Sequence, residues 1–204
     1  MRLFIAFQLS EDMKRALVSV RNALKKGGAR GTFTKTENLH LTLAFIGEYP
    51  DPDRVLDAME TVPFRPVPLC LDGLGSFGDL YWCGLGDGAA GRRRLPEGGI
   101  AVGGDGMAGR CVSAVGGGGT ADSGELAACA ARLRRALAQE NIPFDRKRFT
   151  PHITLLRRGE FARGVPGIAV PEASMEADAM SLMRSDRGRN GMIYTELGRV
   201  PAER

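Results

Sequence analysis

Histidine is almost missing from this chain: 204 residues contain two. That scarcity already removes histidine-rich metal centres. Four cysteines (Cys70, Cys83, Cys111, Cys129) show no CxxC spacing. With no secretory context either, reduced thiols in a cytoplasmic protein are expected. No apolar run approaches the length of a membrane span, so no membrane partner is expected. The apolar opening from Met1 to Phe7 meets Glu11 and Asp12 almost at once. It reads as a first strand and not as a signal peptide. No Walker-type or dinucleotide glycine fingerprint is present, and no serine or cysteine stands in a nucleophile motif. Two histidines without a carboxylate or cysteine cluster beside them make a poor zinc site, so neither metal nor cofactor is expected.

The two histidines that remain sit in one phrase, written twice. The first copy is His40-Leu41-Thr42-Leu43 and the second is His152-Ile153-Thr154-Leu155. In both, a glycine follows seven positions after the histidine, at Gly47 and Gly159. A single histidine on a strand is usually a satisfied structural residue. Two unrelated structural histidines have no reason to share threonine at plus two, leucine at plus three and glycine at plus seven. Alternation is the period of a strand. It places His40 and Thr42 on one face, with Leu41, Leu43 and Phe45 on the buried face, and it treats His152 and Thr154 against Ile153 and Leu155 likewise.

Net charge is +4, and its distribution is uneven. Residues 130–190 hold twelve Arg and Lys against seven Asp and Glu. Arg132, Arg134, Arg135, Arg146, Lys147, Arg148, Arg157 and Arg158 bracket the second phrase. Singly these suit a solvated surface; together they suit a phosphate-bearing partner.

In order, the chain reads as alternating strands and helices. Ser10 caps a first helix whose Met13, Ala16, Leu17, Val20 and Leu24 recur at helical spacing, and Gly27-Gly28 stops it. Residues 32–46 read as one extended segment carrying the first phrase. Asp51-Pro52 opens a short second helix. Two strands, 67–74 and 80–85, form a hairpin. Residues 88–119 carry twelve of the 28 glycines and read as a flexible insertion. A third helix spans about 123–140, and the second phrase follows it. Strands at 177–184 and 191–197 flank a basic loop at 185–190. Helices among hairpins indicate an α+β fold with antiparallel sheet, and the length indicates one domain.

An imidazole is the side chain whose ordinary pKa permits one copy to act as base while another acts as acid near neutrality. Two of them suit in-line displacement at phosphorus, and each threonine hydroxyl can donate to a non-bridging phosphate oxygen. The pairing leaves substrate and the division of roles open.

Paired H-x-T-L phrases, one per half, resemble the 2H phosphoesterase superfamily. The opening Met1-Arg2-Leu3-Phe4-Ile5-Ala6 adds to the likeness, as do Glu37-Asn38-Leu39 before His40, Phe45-Ile46-Gly47 after it, and Pro151 before His152. Together these are similar to the RNA 2′,3′-cyclic phosphodiesterases, also called 2′-5′ RNA ligases. The resemblance covers nearly the whole chain and departs at 88–119. It implies a bilobal α+β fold over residues 1–204, with pseudo-symmetric lobes, two sheets facing across a groove, helices outside and one His phrase per lobe. It implies His40 as the proton donor to the departing 3′ oxygen and His152 as the proton acceptor that activates water. Thr42 and Thr154 would bind the phosphate. RNA with 2′,3′-cyclic phosphate ends, or small cyclic nucleotides, would be the partners of a monomer. The same site run backwards would join RNA through a 2′-5′ bond, and a non-catalytic RNA-binding module of this fold is the third possibility.

Overall fold

The computed structural model describes residues 1–86, 124–161, 167–189 and 191–203. The glycine-rich stretch at 88–119 lies outside the described residues. Nine strands and three helices occur among those described: β1 (Arg2–Gln8), α1 (Glu11–Lys26), β2 (Ala29–Phe33), β3 (His40–Glu48), α2 (Pro52–Glu60), β4 (Val67–Phe77), β5 (Leu80–Gly86), α3 (Glu125–Gln139), β6 (His152–Phe161), β7 (Ser174–Ala177), β8 (Ala179–Gly188) and β9 (Gly191–Pro201). The strands form two antiparallel sheets, ordered β3-β1-β8-β9 and β2-β6-β5-β4-β7. The fold is α+β and bilobal, one sheet to each lobe. No helix among the described residues is long and apolar enough to cross a membrane.

Local chemistry sets the helix ends. Ser10 accepts from the Met13 backbone N–H, and Gly27 closes α1 by donating to the Ala23 carbonyl. Asp51 caps α2 through the Arg54 N–H, with Pro52 at a first-turn position where its missing N–H costs nothing. Met13, Leu17, Val20 and Leu24 bury one face of α1, and Leu126, Cys129, Ala130, Leu133 and Leu137 bury one face of α3. These side chains join Leu3, Ile5, Phe7, Leu41, Leu69, Ile153 and Leu182 in one continuous core.

The segment expected as one extended strand at 32–46 is two strands in two sheets. β2 pairs with β6, while β3 pairs with β1. A 3-10 turn at Thr36–Asn38 separates them. The Asn38 and Leu39 amides bond back to the Lys35 and Thr36 carbonyls, so the chain turns there and crosses between lobes. This crossover delivers the first phrase to the opposite sheet from the second.

The hairpin near the C-terminal end also differs from expectation. β8 runs on to Gly188, with Ser185↔Tyr194 and Arg187↔Met192 in register. Most of the expected basic loop is therefore strand. β7, which pairs with β4, alternates over only four residues, Ser174 to Ala177, and precedes the strand expected from 177.

Candidate active site

His40 is the first residue of β3, an edge strand, and His152 is the first of β6. Starting a strand at the histidine leaves the preceding carbonyls free to reach its ring. In the first phrase His40 Nδ1 lies 2.8 Å from the Asn38 carbonyl; in the second, His152 Nδ1 lies 2.7 Å from the Thr150 carbonyl. A carbonyl only accepts, so each neutral ring carries its proton on Nδ1 and turns a bare Nε2 outward. His40 Nε2 accepts from the Thr42 hydroxyl at 3.0 Å. Among the described residues none bonds to His152 Nε2.

A bulge shapes both phrases in the same way. Across β1 and β3, Ala6 faces Thr42 while Ile5 faces Ala44, so Leu43 has no opposite residue. Across β5 and β6, Trp82 faces Thr154 while Tyr81 faces Leu156, so Leu155 is the extra one. The extra residue shifts the alternation by one. Leu43 with Ala44, and Leu155 with Leu156, all enter the core. The fifth residue after each histidine then emerges on the histidine's face. Phe45, expected on the core face, instead packs with Phe4, Ala6, Met183 and Tyr194 beside His40. Arg157 lines the groove with His152.

The shared glycines at plus seven have separate causes. Gly47 adopts φ +85°, a conformation that side chains resist. Gly159 has no space: a Cβ there would stand 2.6 Å from the Tyr81 ring.

Both histidines, Thr42 and Thr154 line one groove, which has about 870 Å³ of empty space including its open mouth. Asn38, Lys35, Arg157, Met192 and Tyr194 share its walls. The structure thus brings all four sequence-predicted residues together. Each imidazole also packs against a pair of aromatic rings that touch one another. Phe4 is 4.8 Å and Tyr194 5.3 Å from His40; Phe77 is 5.4 Å and Trp82 6.0 Å from His152. These rings come from strands remote in sequence, which hid them from a reading of the phrases.

The surroundings push both imidazoles toward neutrality. Burial lowers His40 to about 4; the Asn38 carbonyl opposes this, and Arg157 and His152 add to it. Burial also lowers His152, with the Thr150 carbonyl opposing and Arg157 adding. Arg157 is thus the cation whose charge reaches both rings. Among the described residues no group of three His, Cys, Asp or Glu could hold a metal ion. The arrangement can bind an anion between two bases and exchange protons with it from either side.

Solved structures share this fold. E. coli LigT complexed with 3′-AMP is 24% identical with a TM-score of 0.67, covering 100% of this chain and 98% of that one. The TT0787 protein of Thermus thermophilus is 22% identical with a TM-score of 0.64, covering 98% and 97%. Among curated relatives, the RNA 2′,3′-cyclic phosphodiesterase of Aeropyrum pernix is 25% identical over 202 residues, 91% of this chain and 94% of that protein. The protein of the same name from Thermotoga maritima is 26% identical over 211 residues, 97% and 93% respectively. The family model described as LigT like Phosphoesterase matches residues 7–81 and 120–194, spans that contain both phrases and most of the groove. This chain belongs to the LigT-like phosphoesterase family, and it is an enzyme.

Proposed function

We propose that the protein hydrolyses 2′,3′-cyclic phosphodiester ends of RNA to 2′-phosphomonoesters by acid–base catalysis from His40 and His152, without a metal. One observation carries the reading. Two imidazoles, each with Nδ1 fixed by the carbonyl two residues earlier, turn Nε2 toward one groove whose lining includes Arg157. The curated relatives from Aeropyrum pernix and Thermotoga maritima bear the name of this activity.

His152, whose Nε2 is unengaged among the described residues, takes a proton from water as the water oxygen attacks phosphorus. The bond from phosphorus to the 3′ oxygen breaks, and His40 delivers its Nε2 proton to that oxygen. Thr42 and Thr154 donate to the non-bridging oxygens, where charge gathers, and Arg157 offsets the anion. A proton then returns from His152 to His40 through solvent.

His40 at about 4 is neutral in the free protein at pH 7. It gains its proton with the substrate, because an adjacent phosphate anion favours the imidazolium. Residues 1–204 would act as one domain whose two lobes each supply half of the site.

The test is an oligoribonucleotide ending in a 2′,3′-cyclic phosphate, incubated with the protein in EDTA and analysed for the end it acquires. A 2′-phosphate formed by wild type and not by His152→Ala is expected. A 3′-phosphate, or turnover that stops in EDTA and resumes with a divalent ion, refutes the mechanism.

A further inference from the structure

The groove is larger and more positive than one cyclic phosphate requires. Among the described residues its lining holds two permanent cations, Lys35 and Arg157, and no carboxylate. A cyclic phosphodiester carries one negative charge, and Arg157 is the cation that acts on both imidazoles. Lys35 is left without a matching anion. Its only ion pair among the described residues is with Glu37 at 3.8 Å, both side chains being well exposed, and such pairs contribute little.

The wall beside Lys35 is fixed in advance. Asn38, nine-tenths buried, donates its side-chain amide to the Met192 carbonyl at 2.8 Å, tying the start of β9 to the crossover turn. Gly191 at φ +112° presents bare backbone there, and a Cβ on it would lie 3.9 Å from Lys35 Cε. Tyr194 stands edge-on to His40, with Met192 near it on β9. Going outward from His40, the wall offers an apolar and aromatic stretch and then an ammonium group. If His40 protonates the 3′ oxygen, the sugar of the substrate lies on this side.

We infer that Lys35 and the start of β9 form a subsite for a second phosphate, the one attached 5′ to the nucleoside that bears the cyclic phosphate. The favoured substrate is then a 5′-phosphorylated terminal nucleotide, not a cyclic mononucleoside. This inference rests on the cyclic phosphodiesterase reading above.

Three substrates test it: adenosine 2′,3′-cyclic phosphate, the same compound with a 5′-phosphate, and a diadenosine dinucleotide ending in the cyclic phosphate. A charge-assisted contact at this exposure corresponds to about a tenfold advantage in kcat/KM for the second and third compounds. Lys35→Gln should cut that advantage to roughly twofold, with a much smaller effect on the first compound. If the advantage belongs to the dinucleotide alone, the subsite takes an internucleotide diester; if both gain, it takes a phosphate from either source. Absence of any advantage in wild type overturns the inference. So does a Lys35→Gln variant that slows all three equally, since Lys35 would then serve the reacting phosphate. Calorimetry with adenosine 2′-phosphate and adenosine 2′,5′-bisphosphate separates the two readings. If wild type hydrolyses none of the three compounds, the catalytic reading fails, but Lys35-dependent preference for the bisphosphate would still sustain the subsite. Equal affinity for the two would reject it.

Discussion

Replacing His40 by glutamine removes a group whose protonation differs between the folded and unfolded chain, and the size of the effect follows from the structure. In the unfolded chain a histidine titrates near 6.5, while in the folded protein burial holds His40 at about 4. Between those values the unfolded state binds more protons, so stability rises with pH across this window. The stability is fully present above about pH 6.5 and is lost as pH falls toward 4. From pH 7.5 to 4.5 the wild type therefore loses about 2.5 kcal/mol through this residue, at 1.36 kcal/mol per unit. Carboxylates and His152 titrate in both proteins and largely cancel in the difference. The lost bond to the Asn38 carbonyl lowers the variant's stability by a similar amount at either pH. The assay is urea unfolding of wild type and His40→Gln at the two pH values, in buffers free of phosphate. The gap between them should move by about 2.5 kcal/mol in the variant's favour on acidification. Added inorganic phosphate should shrink that movement, because an anion in the groove favours the imidazolium. A gap constant to within about 0.5 kcal/mol would show that His40 is not held neutral, and the account of substrate-coupled protonation would fall with it.

The same low imidazole pKa values place the optimum of kcat/KM, which reports the free enzyme, below pH 6.5, with kcat peaking at higher pH once substrate is bound; coincident profiles would contradict the coupling. His40→Ala and His152→Ala should each lower kcat by about two to four orders of magnitude. If the two groups serve one displacement, as proposed, the double variant should be far less than multiplicatively worse; independent, multiplicative losses in single-turnover assays would separate them. Thr42→Ala or Thr154→Ala should cost on the order of 3 kcal/mol in kcat/KM, as for other oxyanion donors, with melting temperature little changed. Gly159→Ala forces a Cβ against the Tyr81 ring and should destabilise by about 1–3 kcal/mol, whereas Gly47→Ala meets only the φ penalty of roughly 1 kcal/mol; thermal unfolding compares them.

What could be read from the sequence was whatever is encoded locally. Caps at Ser10 and Asp51, the apolar stripes of α1 and α3, and the repeated phrase all depend on neighbours within a few residues, and the structure has them where the sequence indicates. The break between β2 and β3 was hidden because Thr34-Lys35-Thr36 is compatible with an extended chain. The turn is imposed by partners elsewhere, such as the Leu155 carbonyl that takes the Thr34 N–H. β7 was hidden because its alternation runs for only four residues, too short to stand out without its pairing to β4. Phe4, Phe77, Trp82 and Tyr194 reach the histidines through sheet register alone. Lys35 and Asn38 stood next to the first phrase, yet only the position of β9 makes them part of a wall.

The bulge is the instructive case, because period two holds for four residues of each copy, His40 to Leu43 and His152 to Leu155, and fails beyond them. An alternating strand would keep the plus-five residue on the core face of both copies. The extra leucine reverses this in both, and the two copies use the reversal differently. In the first, the reversed position holds Phe45, capped by Arg2 with its guanidinium 4.9 Å from the ring, in the apolar cluster behind His40. In the second it holds Arg157, exposed and turned into the groove. Equal frames therefore give unequal histidines. The His40 side is the more apolar, and His40 falls further, to about 4. The arginine enters from the His152 side only. An anion drawn in by Arg157 arrives beside a ring that burial has kept neutral, and its charge does most where solvent screens it least. That ring is His40. The asymmetry that supports His40 as the acid therefore comes from one bulge position filled by phenylalanine in one strand and arginine in the other.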